Sequence, residues 1–235
     1  MYSQSAQYYD AIYASFKNYA AEVRKAHKII QKYKQSKGKL LLDVACGTGA
    51  HAGLLSKYYQ VEGLDLDPKM LSVARKKYPK ITFHQGDMSD FDLERQFDVV
   101  VCLFSSIGYV KTKSRLQKAI QTMTRHVLPD GLLLIEPWFT PRQWHTGYVS
   151  VTLVDKPDLH IVRMNRSGRR DKISLTEFQY LVGTPKGIEH LTEIHELGLF
   201  THKEYMDTFK AAGLKVTHDP QGLDGRGLYV GMKPK

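Results

Sequence analysis

Cysteine is nearly missing, with two in 235 residues, which excludes a disulfide scaffold. Cys46 sits in a glycine-rich turn and Cys102 in an apolar run, so both read as reduced thiols of a cytoplasmic protein. No apolar run approaches the ~20 residues that cross a bilayer. The start, Met1-Tyr2-Ser3-Gln4-Ser5, lacks the basic and apolar regions of a signal peptide. Repeats and low-complexity tracts are absent. The ten histidines are dispersed and no H-E-x-x-H occurs, so no metal is expected. His190, Glu193 and His195 lie close together, but a polar strand face accounts for them. Acidic residues are outnumbered, 24 against 34 basic, for a net charge of +10. The basic residues are scattered, as at Arg24-Lys25, Arg75-Lys76-Lys77 and Arg169-Arg170. That pattern reads as solvated surface more than as a nucleic-acid face.

What is present is ordinary globular material, 42% hydrophobic and 25% charged, enough for one large domain. Residues 5–35 are predicted helical, because Tyr8, Ile12, Phe16, Tyr19, Val23 and Ile30 recur near helical spacing. Strands are expected at 40–45, 61–65 and 81–84, with helices at 50–59 and 68–77. Asp67 and Pro68 are a fitting N-cap and first turn for the latter. The near-continuous apolar run Phe97 to Phe104 suits a strand buried on both faces of a parallel sheet. A helix at 112–126, a stop near Pro129-Asp130-Gly131 and a buried strand from Leu132 to Glu136 follow. This alternation implies an α/β, doubly wound, mostly parallel Rossmann-like sheet. Beyond Trp138 the pattern turns antiparallel, with Val149, Val151 and Leu153 alternating. Thr201 to Glu204 reads as a capping box, and Gly213 as a C-cap. One domain is expected over 1–235, divided into a helical cap (1–37), a cofactor-binding core (38–145), an antiparallel β-rich insertion (146–198) and a C-terminal completion (199–235).

The run from Leu40 to His51 joins a buried strand to a glycine-rich turn and a helix start. Gly47, Gly49 and Ala52 match the dinucleotide pattern G-x-G-x-x-A, which alone is weak. Asp43 lies four residues before Gly47. A pyrophosphate gains nothing from a carboxylate there, whereas an ammonium and sulfonium do. Asp65 ends the next strand and can accept from ribose hydroxyls. Gly86-Asp87-Met88 follows the third strand and offers an acceptor for an adenine amino group and a packing surface. Each aspartate alone could be turn chemistry. Three at successive strand ends, where open α/β sheets bind ligands, favour S-adenosylmethionine.

LLDVACGTG, VEGLDLDPKML, GDM and HVLPDG resemble the motifs of class I S-adenosylmethionine-dependent methyltransferases over roughly residues 40–136. Residues 102–109, Glu136-Pro137-Trp138, Gly147-Tyr148-Val149, Leu199-Phe200-Thr201 and Gly225-Arg226-Gly227-Leu228 extend the resemblance to the N,N-dimethyltransferases of nucleotide-linked (dTDP) amino sugars, which serve macrolide antibiotic biosynthesis.

The resemblance implies a site. Tyr9, Ala45, Gly47, Asp65, Asp87, Met88 and Leu103 would hold the cofactor, with Asp43 and Gly49 from the turn itself. Tyr2, Tyr19, Ser106, the stretch Thr146, Gly147, Tyr148, Val149 and Ser150, and the arginines Arg163 and Arg226 would hold the acceptor. Arg226 sits between glycines, which leaves its fork open to a phosphate. Tyr109 falls where some relatives carry histidine. Tyrosine, with a pKa near 10, is a poor base at neutral pH, so Tyr109 and Tyr2 are given positioning roles. The expected reaction is in-line transfer of one or two methyl groups to a neutral amine without a dedicated base, leaving S-adenosylhomocysteine. The resemblance also implies a homodimer.

Other small-molecule acceptors stay open, as does nucleic acid. The segment after strand four, Phe104-Ser105-Ser106-Ile107, lacks the Asn/Asp-Pro-Pro-aromatic motif of exocyclic-amine enzymes on nucleic acid, and neither cysteine follows a proline. A cofactor-binding protein without catalysis and a nicotinamide oxidoreductase are the remaining alternatives.

Overall fold

The computed structural model describes residues 4–235, so Tyr2 lies outside the described residues. Strands β1 (Leu40–Val44), β2 (Gln60–Asp65), β3 (Thr82–Gln85), β4 (Phe97–Cys102) and β5 (Val127–Ile135) run parallel. β10 (Lys215–Asp219) and β11 (Leu228–Met232) complete a seven-stranded sheet in the order β10-β11-β5-β4-β1-β2-β3, with β11 antiparallel to both neighbours. The order reverses between β1 and β4. Loops leaving the carboxyl ends of these two strands diverge there, which opens a crevice for ligands.

The two sheet faces carry separate cores. Helices α5 (Lys113–Arg125) and α6 (His202–Ala211) cover one, around Leu42, Val100, Leu116, Ile120 and Phe209. Helices α2 (Tyr19–Tyr33), α3 (Ala50–Leu55) and α4 (Pro68–Lys77) cover the other, around Val23, Ile30, Leu41, Leu55 and Leu71. β4 is buried at every residue because both layers press on it. Asp67 caps α4 by accepting from the Lys69 amide at 2.9 Å, and the Thr201–Glu204 capping box opens α6.

Two expectations change. The single helix over 5–35 is two helices, α1 (Tyr9–Ala14) and α2. Asn18 interrupts it, since its side chain accepts from the Ala21 amide at 2.9 Å and starts a new helix. The aromatic row is therefore shared between two directions, and Phe16 is left 57% exposed. The stop at Pro129-Asp130-Gly131 lies inside β5 rather than before it. Asp130 takes φ +62, and the register with β4 shifts between Phe97 and Val99, so a bulge absorbs the proline without ending the strand.

Strands β6 (Val149–Lys156), β7 (Leu159–Arg170), β8 (Ile173–Thr184) and β9 (Gly187–Gly198) form an antiparallel meander. Its inner face carries Val154, Ile161, Phe178, Tyr180 and Val182, which pack on Ile12 of α1. The alternating Val149, Val151 and Leu153 point the other way and stay exposed at 55%, 52% and 62%. α1 thus lies between the meander and the core, and Tyr9 and Tyr13 reach Met70 of α4. This bridging helix roofs the crevice.

Candidate active site

A cavity of about 1490 Å³ fills the space between the carboxyl edge of the sheet, α1 and the inner face of the meander. It exceeds the usual 300–1,000 Å³ of a single small-molecule pocket, leaving room for two ligands. One half is built by loops that follow strands β1 to β3. The other is built by α1, the segment after β4, the meander and the loop before β11.

In the first half, Ala45 and Gly47 have φ of +58 and +56. A Cβ at Gly47 would lie 3.2 Å from Met70 Cε in addition to that backbone strain, so the turn forms a cradle that a side chain would fill. Asp65 fixes the turn. Its Oδ2 accepts from the Gly47 amide at 2.8 Å and its Oδ1 from the Asp67 amide at 2.8 Å. Each oxygen keeps a lone pair, as two ribose hydroxyls require. Asp87 accepts from Ser89 N–H and O–H at 2.8 and 2.7 Å and from Arg115 at 2.7 Å. Burial pushes its carboxyl up, but these bonds hold it below the ordinary value. Tyr9, Ala45, Gly47, Asp65, Asp87 and Met88 all line the cavity.

Three residues assigned to the cofactor sit behind that wall. Leu103 is 2% exposed. Gly49 caps α3 at φ +76, where a Cβ would press on Phe83 and Tyr78 at 3.1 Å, so it serves packing. Asp43 is 2% exposed, and its Oδ2 has no hydrogen-bond partner among the described residues. Burial and the nearby Asp65 charge push its carboxyl up to about 8. An orphaned acceptor beside a turn that excludes side chains fits a cationic, adenosine-bearing cofactor. Asp65 and Asp87 supply the acceptors, and Met88 the packing surface, that such a molecule needs.

The second half is richer in charge. Arg163 of β7 is 5% exposed, and its guanidinium lies 5.2, 5.7 and 5.0 Å from the rings of Tyr13, Phe16 and Phe178. One Nη donates to Thr152 at 3.0 Å, while Nε and Nη1 have no hydrogen-bond partner among the described residues. No carboxylate pairs with it among those residues. Such a buried, unmatched cation is costly unless an anion completes it.

Arg226 departs from expectation. Its Nε and Nη2 already engage Asp224, the former at 3.0 Å, and Nη2 lies 3.5 Å from Glu136. Its fork is taken by a carboxylate, not left open by flanking glycines. Burial pushes the Glu136 carboxyl up against the opposing pull of Arg226, whereas Arg226 holds Asp224 charged despite burial. Lys17 joins this cluster. It pairs with Glu22 at 2.6 Å and sits 3.8 Å over the Phe104 ring, with Arg226 5.0 Å from the same ring. Phe104 and Ser105 both take left-handed backbone, at φ +52 and +59, pinned by Glu136 accepting from the Phe104 amide at 2.6 Å and by Ser105 donating to the Pro137 carbonyl at 2.6 Å.

Ser106, Tyr109 and Tyr148 line this half. Tyr19 does not. It packs edge-on against His51 at 4.9 Å, beneath Tyr9 and Tyr13. Thr146, Gly147, Val149 and Ser150 also stand off the wall, with Ser150 donating to Asn165 at 2.7 Å and the Gly147 amide to the Ser167 carbonyl at 2.8 Å.

Lys17, Glu136, Asp224 and His195 are absent from the expected site. His195 had a signal: Glu193 and His195 share one strand face at i, i+2 while His190 has the other parity. That face is buried, not solvated. His195 is 1% exposed, with its Nδ1 2.6 Å from the Tyr109 hydroxyl, whereas His190 is exposed and bonded to Gln179.

A family model described as a methyltransferase domain matches residues 41–131. The chain is 39% identical over 230 residues to dTDP-3-amino-3,6-dideoxy-alpha-D-glucopyranose N,N-dimethyltransferase of Streptomyces fradiae, covering 97% of this chain and 90% of the relative. It is likewise 39% identical to dTDP-3-amino-3,4,6-trideoxy-alpha-D-glucopyranose N,N-dimethyltransferase of Streptomyces venezuelae, covering 97% of each. The crystal structure of Streptomyces venezuelae DesVI superposes with a TM-score of 0.93 at 38% identity over 99% of both chains. CalS10, an S-adenosylmethionine-bound amino pentose methyltransferase from Micromonospora echinaspora, superposes at 0.87 with 36% identity over 96% of both.

Proposed function

From a chain that belongs to the S-adenosylmethionine-dependent N,N-dimethyltransferases of nucleotide-linked amino sugars, we propose that the acceptor is the amine of such a sugar, methylated up to twice. The observation that carries the acceptor class is Arg163. Its unmatched donors, buried in a cavity that also holds Asp65, Asp87 and Met88, suit a nucleotide diphosphate.

Bound S-adenosylmethionine would supply an electrophilic methyl group on a sulfonium. Tyr9, Ala45, Gly47, Asp65, Asp87 and Met88 would hold it, with Asp43 beneath the turn. Tyr109, Ser106 and Tyr148 would face the sugar, and Arg163 its diphosphate. Arg226, already bound to Asp224, orders the Phe104 wall. The aromatic walls exclude water, and orientation then carries most of the rate, since effective molarities of ~10⁵ M or more are available to well-placed reactants. The chain needs no dedicated base, because water takes the proton of the ammonium before attack. Two buried free thiols, Cys46 and Cys102, suit a reducing cytoplasm. The exposed apolar row on the outer face of the meander, with Val151, Leu153, Leu181 and Ile194 each more than half exposed, is where a second copy would dock.

The test is to incubate the protein with S-adenosylmethionine and a panel of dTDP-linked 3- and 4-amino sugars and read mass increments. One or two methyl groups on at least one sugar is expected. No transfer to any of them, beside transfer to an amine without a nucleotide, would overturn the acceptor class.

A further inference from the structure

Tyr109 belongs to a hydrogen-bonded chain that reaches the N-terminal segment. The Tyr109 hydroxyl lies 2.6 Å from His195 Nδ1, and His195 Nε2 lies 3.4 Å from Glu193 Oε2. Glu193 also accepts from Ser5 Oγ at 2.9 Å, from Tyr180 at 3.1 Å and from the backbone amides of Gln4 and Ser5 at 3.0 and 3.2 Å. These donors, together with His195, outweigh its burial and hold its carboxyl down at about 2, so it is charged. Burial lowers His195 despite Glu193, so the ring is neutral. A charged carboxylate only accepts, which places the imidazole proton on Nε2. Nδ1 is then a lone pair, and the Tyr109 hydroxyl must donate to it.

The direction of that one O–H matters. A phenol free to rotate donates to the best acceptor nearby, and in a reacting complex that acceptor is the amine lone pair. Such a bond would occupy the electrons that must attack. With its proton committed to His195, the Tyr109 oxygen on the cavity wall can only accept from an amine N–H. We propose that His195 is a positioning residue that keeps the Tyr109 hydroxyl an acceptor toward the sugar amine, and that this geometry limits transfer to amines still carrying an N–H. In each transfer the amine lone pair forms the new N–C bond, the S–C electron pair leaves with sulfur, and the product ammonium loses a proton to water. A primary amine has two N–H bonds to offer, the monomethyl product one, and the dimethyl product none. The second transfer depends on a single hydrogen bond, and a third has none to orient it.

This inference rests on the amino-sugar reading, so the experiment separates the two. Wild type, His195→Leu, His195→Asn and Tyr109→Phe are compared on an accepted dTDP-amino sugar, reading kcat, KM and the ratio of mono- to dimethyl product. Binding of S-adenosylhomocysteine serves as the folding control. His195→Leu is expected to lose about tenfold in kcat with KM changed less than about threefold, the worth of one hydrogen bond. Monomethyl product should accumulate. His195→Asn, with an oxygen near the Nδ1 position, should recover part of both, and Tyr109→Phe should match His195→Leu. Should His195→Leu fail to bind S-adenosylhomocysteine, the Asn and Phe variants decide on the same readouts. An unchanged product ratio in the folded variants, or Asn no better than Leu, overturns the inference alone. A wild type that methylates no amino sugar overturns the acceptor reading and this inference together.

Discussion

The two halves of the cavity are built by different rules. The half over strands β1 to β3 takes its groups from short local segments at or just past a strand end: Gly47, Asp65, and Asp87 with Met88. Its turn is held by Asp65 through two amides. The half facing the meander draws on Lys17, the segment 104–109, Arg163, His195 and Arg226, which lie tens of residues apart in sequence. Several of its charged and polar groups are paired: Arg226 with Asp224, Lys17 with Glu22, and Tyr109 with His195. On the proposed reading, the first half would bind with what the turn geometry leaves open, and the second with what its internal pairing leaves unmatched. Local geometry tolerates little substitution, whereas a network redistributes a loss among its members.

The sharpest way to break this contrast is at Gly47. Gly47→Val should weaken binding of S-adenosylhomocysteine by about 100-fold or more, because the side chain meets Met70 and forces an L-residue to φ +56. Calorimetric titration measures this, and retained affinity would mean the turn is not the cradle. Next is Arg163→Met, expected to reduce kcat/KM for the nucleotide sugar by about 30- to 100-fold, the worth of one charged hydrogen-bonding site of about 2–3 kcal/mol. Binding of S-adenosylhomocysteine should stay within about twofold. A parallel loss in both would merge the two halves into one.

Glu193→Gln probes the network through stability. The Glu193 carboxyl has a folded pKa of about 2, below its ordinary 4.5, so its stabilisation is full above ~4.5 and is lost as pH falls toward ~2. The variant should be less stable than wild type by about 2 kcal/mol at pH 7, and the gap should close over that acidic window, as seen by denaturant melts at several pH values. A gap independent of pH would assign the loss to packing. The smallest effect is expected at Arg226→Lys. An ammonium can still pair with Asp224 but loses the fork, so kcat/KM should fall only about fivefold. A loss as large as that of Arg163→Met would make Arg226 a direct ligand of the acceptor.

Legibility in the sequence followed the same division. Strand ends, the glycine turn and the three aspartates stood out because each depends on near neighbours in the chain. The site residues that did not stand out depend on burial. Glu193 and His195 looked like a solvated strand face, and only the packing of α1 on the meander made that face an interior. Val149, Val151 and Leu153 alternate as a buried row would, yet the same packing buries the opposite face of β6. Period-2 alternation marks two faces and does not say which one is inside. The break at Asn18 and the bulge at Asp130 were missed for a related reason. A capping side chain and a bulge are small local choices that tertiary contacts select.

Sequence alone determined the alternation of strands and helices in the parallel core and the character of the glycine turn after its first strand, because strand burial, turn chemistry and helix caps are set within a few residues. Tertiary structure decided which charges remain unmatched. Arg163 and Arg226 look alike in the chain, but one folds against Asp224 and the other against three aromatic rings. A guanidinium buried among rings with open donors calls for an anion, and one already holding a carboxylate does not. That difference exists only once distant segments meet.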